Sequence, residues 1–168
     1  MTGMQPCGDY AELAVASHFS FLRGASSPKA LVLTALLNGH VGLGLADRNT
    51  VAGVVRAWSA LKELRDVGLV PPAKVREGGG PGETAYVEDP LNDPASCEEV
   101  KRRAAGFRLL TGTRLVFNDG TPDILAYAET RTGWGRLTRL LTLGGRRTKK
   151  GQCEIGLAIS WPTPKVCC

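Results

Sequence analysis

The residues of this chain that could do chemistry are few. Histidine occurs twice, at His18 and His40. His18 follows an apolar run and precedes Phe19 and Phe21, a setting for packing or hydrogen bonding rather than ligation. Ser17 beside it makes no nucleophile–base pair, because adjacent side chains on a strand face opposite ways. Asp47-Arg48-Asn49 puts a carboxylate just past a second apolar run. From Arg131 to Lys150 there are seven basic residues (Arg131, Arg136, Arg139, Arg146, Arg147, Lys149 and Lys150) and no acidic one. Such a stretch can contact DNA phosphates, with Arg146, Arg147, Lys149 and Lys150 as the expected contacts. The competing reading is a solvated helix face and loop. Gly78-Gly79-Gly80-Pro81-Gly82 lacks the lysine and Ser/Thr of a phosphate-binding loop and reads as a linker. Cys7, Cys97, Cys153, Cys167 and Cys168 form neither a disulfide framework nor a C-x-x-C zinc pattern.

These residues are carried by alternating elements. Ala11 to Ser17 reads as a short buried strand. Ser27 offers an N-cap oxygen, Pro28 suits the first helical position, and Gly39 ends a helix built on Leu31, Leu33, Leu36 and Leu37. Val41 to Leu45 is a second strand, followed by an amphipathic helix expected to bury Val51, Val54, Val55, Trp58 and Leu61. Strand–helix–strand–helix is the grammar of an α/β fold with parallel strands. Pro71 to Ala95 breaks the pattern as a flexible Gly/Pro-rich insertion, and order resumes at Phe107. Phe107–Leu110 and Thr113–Phe117 are strand-like, Asn118-Asp119-Gly120 is a turn, and Ile124 to Ala128 is another strand. A last helix covers about Thr132 to Leu143, with Trp134, Leu137, Leu140 and Leu141 on its apolar side.

Composition sets wider bounds. With 168 residues and 43% hydrophobic content, the chain fits one domain with a sizeable core. A net charge of +5 is compatible with a nucleic-acid or phosphate partner, though many soluble domains carry as much. No apolar run approaches the ~20 residues of a membrane span. Without a secretory signal or a disulfide pattern, a reduced, cytoplasmic protein without a membrane partner is expected.

Three stretches together resemble the PHP domain that opens bacterial C-family DNA polymerases: YAELAVASHFSFLRGASSPKALV from Tyr10, LADRNTVAGVVRA from Leu45, and LTGTRLVFNDGTPDILAYAETRTGWGRLTRLLTLGGRRTKKGQCEIGLA from Leu110. FLRGAS, Asp-Arg-Asn-Thr and DGTPDILAY resemble the error-prone, damage-induced branch rather than the replicative one. The resemblance implies a partial PHP-type distorted α/β barrel, C-terminally incomplete, with parallel strands and flanking helices. It covers residues 1–158, apart from an insertion around 71–95, and leaves 159–168 as an unrelated short tail. It further implies a fragment that stops before the palm, fingers and thumb, where nucleotidyl transfer resides.

Metal-binding PHP domains use histidines and carboxylates at strand ends, hard or borderline donors that converge on ions able to activate water and clamp phosphate oxygens. Carried over by position, the opening His-x-His falls on Ala14 and Ala16, and Asp-His falls on Asp47 and Arg48. Gly-x-Glu falls on Gly112-Thr113-Arg114, and a further histidine corresponds to Asp123. The resemblance therefore implies a degenerate metal site at Ala14, Ala16, Asp47, Arg48 and Arg114, with no cofactor and no catalytic residue. In that site Asp47 is either a residual metal ligand or, as the favoured expectation, the partner of Arg48 or Arg114 in an ion pair. The foremost expectation is a non-catalytic domain of an error-prone polymerase acting in translesion synthesis. Its partners would be DNA, bound weakly and without sequence preference, and the rest of the polymerase. The alternatives are an autonomous basic module binding DNA or a polymerase, and a metal-dependent phosphoesterase.

Overall fold

In the computed structural model, residues 10–66, 94–149 and 152–157 are described, and the glycine-rich segment and the tail after 158 lie outside them. Strand β1 (Ala11–Val15) leads into helix α1 (Pro28–Leu37). The Ser27 hydroxyl accepts from the Ala30 N–H at 3.1 Å, and Pro28 occupies the first turn, where no N–H is needed. At the other end Gly39, at φ +77°, donates to the Leu36 carbonyl and His40 donates to that of Ala35. That paired pattern satisfies two carbonyls the helix would otherwise orphan.

Strand β2 (Gly42–Arg48) pairs in parallel with β1 on one side and with β3 (Arg108–Leu115) on the other. The β2–β3 register is unbroken from Gly42↔Arg108 to Arg48↔Arg114, whereas β1 is bulged between Glu12 and Val15. Strand β4 (Ile124–Tyr127) pairs antiparallel with β3, so the sheet order is β1-β2-β3-β4. The α/β expectation with parallel strands and flanking helices is met by the first three strands; β4 departs from it. The short connection through Asn118-Asp119-Gly120 explains why, since a parallel return needs a crossover of a dozen or more residues.

Helices α1 and α2 (Ala52–Asp66) cover one face of the sheet, and α3 (Pro94–Gly106) packs against both of them. Val32, Leu36, Leu43, Leu45, Leu61, Val100 and Phe107 form its core. Helix α4 (Arg131–Arg146) closes a second cluster, in which Leu137 packs with Leu115, Phe117 and Ile155. The expected apolar side of α4 holds, with Trp134 reaching the first core while Leu140 and Leu141 pack on the second.

Four local expectations are corrected. Helix α2 buries Gly53, Val54, Ala57, Ala60, Leu61 and Leu64, leaving Val55 70% and Trp58 54% exposed. Small residues face inward because α1 and α2 pack closely against the same strand. Residues 108–115 are one strand rather than two, and β2 runs on through Asp47 and Arg48. Helix α3 falls where irregular chain was expected. It is anchored by Arg65, which donates from Nε to the Ala104 carbonyl at 2.8 Å and from Nη2 to that of Phe107 at 2.7 Å. Arg103 reaches from α3 to the Leu36 and Leu37 carbonyls and so caps α1.

Candidate functional site

Parallel strands place their C-terminal ends along one edge of the sheet, the usual position for ligand-binding groups in open α/β folds. Here the edge holds a buried polar knot. Asp47 is 1% exposed, and Ser17, Ser20 and Thr113 are equally enclosed. Asp47 Oδ1 accepts from the Ser17 N–H at 2.7 Å and from the Ser20 hydroxyl at 2.7 Å, while Oδ2 accepts from the Ser17 hydroxyl at 2.8 Å. The two serine oxygens accept in turn, Ser20 from the Arg48 N–H and Ser17 from that of Phe19. The Thr113 hydroxyl donates to the Asp47 carbonyl at 2.6 Å and accepts from the Thr50 N–H. Buried polar groups persist when fully hydrogen-bonded, and this cluster meets that condition.

The first turn of α2 sits directly on the carboxylate. A Cβ on Gly53 would lie 2.7 Å from Asp47 Oδ2, so this position admits only glycine without a shift. The arrangement also brings the N-terminal end of α2 to a negative charge, a favourable dipole contact. Beside it Asn49 adopts a left-handed conformation (φ 48°) and ties β2 to β3. Its Oδ1 accepts from the Val116 N–H at 2.8 Å and its Nδ2 donates to the Val116 carbonyl at 3.0 Å.

The expected ion pair between Asp47 and Arg48 or Arg114 is absent. Strand alternation turns Asp47 toward the helices and Arg48 toward the other face, and Arg114 shares that face because it is in register with Arg48. Arg114 instead approaches Asp123 at 3.9 Å, both side chains about one-third exposed. Val15 packs on the helix side, and Ala14 and Ala16 on either side of it carry only methyl groups. The positions that the sequence aligned with metal ligands thus split. The Arg48 and Arg114 guanidiniums occupy one face, where the Asp123 carboxylate approaches Arg114, and the Asp47 carboxylate lies on the other with both oxygens engaged. That donor set does not fit a divalent ion. Among the described residues no three His, Cys, Asp or Glu come together as a metal site.

The histidines sit at opposite ends of the sheet. His18 stacks on Phe19 at 4.5 Å beyond β1, and His40 meets Tyr10 edge-on at 4.9 Å before β2. Both do the packing expected of His18. On the arginine face Tyr127 has its phenol pushed above the usual value by burial, an effect opposed by the Arg114 charge and reinforced by Glu12. Burial likewise raises the Cys153 thiol, which lies against α4. Of the four expected DNA contacts, Arg146 ends α4, Arg147 is its C-cap, Lys149 follows in the exposed turn, and Lys150 lies outside the described residues.

The serines of the knot were the residues that sequence reasoning missed. The available signal was the recurrence of small hydroxyls, Ser17 and Ser20, flanking the strand end opposite a lone Asp.

Fold and site together define an α/β domain whose strand ends carry a structural carboxylate knot. Over most of its length this chain is homologous to a segment of error-prone DNA polymerases. It is 44% identical over 144 residues to the error-prone DNA polymerase of Mesorhizobium japonicum, 84% of this chain and 9% of that protein. To the Caulobacter vibrioides enzyme it is 40% identical over 87% of this chain and 10% of that one. To error-prone DNA polymerase 1 of Rhizobium meliloti it is 38% identical over 89% and 10%. The chain therefore spans about a tenth of the curated relatives it matches. No family model matches it. A solved structure from Bifidobacterium adolescentis, described as a candidate metal-dependent phosphoesterase, aligns over 87% of this chain and 38% of its own. At a TM-score of 0.44 and 20% identity, that likeness is too distant to carry an argument. Among the described residues no helix is long and apolar enough to cross a membrane.

Proposed function

We propose that this chain serves as a non-catalytic domain of an error-prone DNA polymerase engaged in damage-induced, translesion DNA synthesis in the cytoplasm. The observation that carries the reading is the 38–44% identity to such polymerases across 84–89% of the chain. The partners are DNA, contacted weakly and without sequence preference, and the remainder of the polymerase. A non-catalytic role is supported by Ala14, Ala16, Arg48 and Arg114 at the positions aligned with metal ligands, and by an Asp47 carboxylate committed to Ser17 and Ser20. A metal-dependent phosphoesterase would need N and O donors converging on one point, which these residues do not provide.

The test is to exchange this chain for the matching segment of a full-length error-prone polymerase and to measure primer extension on undamaged and abasic templates. The chimera is expected to retain synthesis. The isolated chain is expected neither to extend primers nor to hydrolyse phosphomonoesters with Zn²⁺, Mn²⁺ or Mg²⁺ present. A folded but inactive chimera argues against the polymerase reading. Stoichiometric metal by elemental analysis, with hydrolysis abolished by Asp47→Ala, refutes the non-catalytic role.

A further inference from the structure

Helix α4 has two unlike sides. Leu137 and Gly144 are buried, and Trp134, Leu140 and Leu141 pack beside them. On the outward side Arg131, Arg139 and Arg146 fall, together with Gly135, Thr138 and Thr142, into one sector about 100° wide at 3.6 residues per turn. A Cβ at Gly135 would meet nothing within 4 Å, so the surface between the arginines is open. The threonine hydroxyls are turned inward, Thr138 donating to the Trp134 carbonyl at 2.9 Å and Thr142 to that of Thr138 at 2.8 Å. Arg136 and Arg147 lie together beyond the Arg139 edge of the sector, and all five arginines are exposed. Among the described residues none of them forms an ion pair, although Glu129 precedes the helix and Glu154 packs near its end.

We infer that this outward face is a track for the phosphate backbone of DNA, centred on Arg131, Arg139 and Arg146 and extending the basic turn at Arg147 and Lys149 along the whole helix. An unpaired row of guanidiniums without an intervening carboxylate complements a polyanion, and guanidinium forks match phosphate oxygens. Successive arginines stand about 12 and 10 Å apart along the axis at 1.5 Å per residue. That interval is the rise of about three base steps along a duplex axis at 3.4 Å per step, so the three arginines can engage separate phosphates rather than one. Glycine and threonine between them leave no bulk to hold the strand away. Among the described residues this side carries no aromatic platform or side-chain amide for base edges, and guanidiniums spent on phosphates position a strand without reading its sequence.

The choice of DNA rests on the polymerase reading, but the surface is tested apart from it. Fluorescence anisotropy on the 168-residue chain compares a labelled single strand and a labelled duplex across a salt titration. The triple variant Arg131→Glu, Arg139→Glu, Arg146→Glu is set against a control with the same charge change elsewhere: Lys29→Glu, Lys62→Glu, Arg102→Glu. A second triple variant with Gln at the three track positions guards against misfolding, and circular dichroism verifies each fold. The parent is expected to bind with a Kd on the order of 10⁻⁵ M at low salt, with the log–log salt slope reduced by about 2–3 in the Gln track variant. Track variants should lose affinity at least about tenfold while the control stays within about threefold of the parent. Equal losses in track and control would reduce the effect to net charge and overturn the inference, as would unchanged binding by the track variants or no binding by the parent. An active chimera with a parent chain that does not bind DNA would refute this surface and leave the polymerase reading standing.

Discussion

Truncating Asp47 is the sharpest perturbation of this fold. Asp47→Ala removes the acceptor of three buried hydrogen bonds and leaves the Ser17 N–H, the Ser17 hydroxyl and the Ser20 hydroxyl without their partner. Hydrogen bonds to a charged group contribute about 1.5–3 kcal/mol each, and a donor left buried costs about 1–3 kcal/mol. The hydroxyls can rotate and the cavity can admit water, so the three losses do not sum fully, and a net destabilisation of about 3–5 kcal/mol is expected. Against a total stability of about 5–15 kcal/mol for a domain, that loss leaves little margin. Asp47→Asn separates geometry from charge. With its carbonyl at the Oδ1 position it keeps the bonds from Ser17 N and the Ser20 hydroxyl, and its amide can donate to Ser17 Oγ after that hydroxyl turns. Its expected cost is about 1–2 kcal/mol. Urea denaturation followed by tryptophan fluorescence and circular dichroism, with and without chelator, provides the measurement. Asp47→Ala within about 1 kcal/mol of the parent would refute the knot as a stability element. Asn as damaging as Ala would show that charge rather than hydrogen-bond geometry matters, and parent destabilisation by chelator would return Asp47 to a metal.

Three more predictions follow from packing and titration. Leu61→Ala should cost about 2–5 kcal/mol, whereas Trp58→Ser should stay within about 0.5 kcal/mol, a contrast measured by urea midpoints that fails if the outward side of α2 is covered. Arg102 and Arg103 hydrogen-bond Glu99 and depress its pKa, so the stabilisation from this carboxylate is present above the unfolded-state pKa and fades as pH falls through the lower folded value. Thermal melts across that acid range should show Glu99→Gln losing pH dependence relative to the parent, and identical pH profiles would contradict it. Burial raises the Cys153 thiol, so residue-resolved alkylation at neutral pH should label it more slowly than a free cysteine thiol and accelerate in urea; equal rates in both conditions would dismiss the packing against α4.

How much was legible in the sequence depended on how local each signal was. Ser27, Pro28 and Gly39 bracket α1 because capping is chemistry within one turn, and α4 announced its apolar side because Trp134, Leu137, Leu140 and Leu141 repeat at helical spacing. The long motif strings likewise carried the likeness to error-prone polymerases without any coordinates. Tertiary structure decided what depends on partners distant in the chain. Asp47 meets Ser17 and Ser20 from 30 and 27 residues away, so nothing near it in sequence could reveal a hydroxyl knot in place of an arginine pair. The buried side of α2 followed the same logic: Val55 and Trp58 are the more hydrophobic residues, yet close approach to α1 and β2 selected Gly53, Ala57 and Ala60. Helix α3 lacks a strong apolar stripe and is held by carbonyl contacts from Arg65 and Arg103, contacts that exist only after α1, α2 and α3 have come together. Periodicity and capping are properties of neighbours along the chain, whereas the face a carboxylate takes and the oxygens it meets are properties of the assembled sheet.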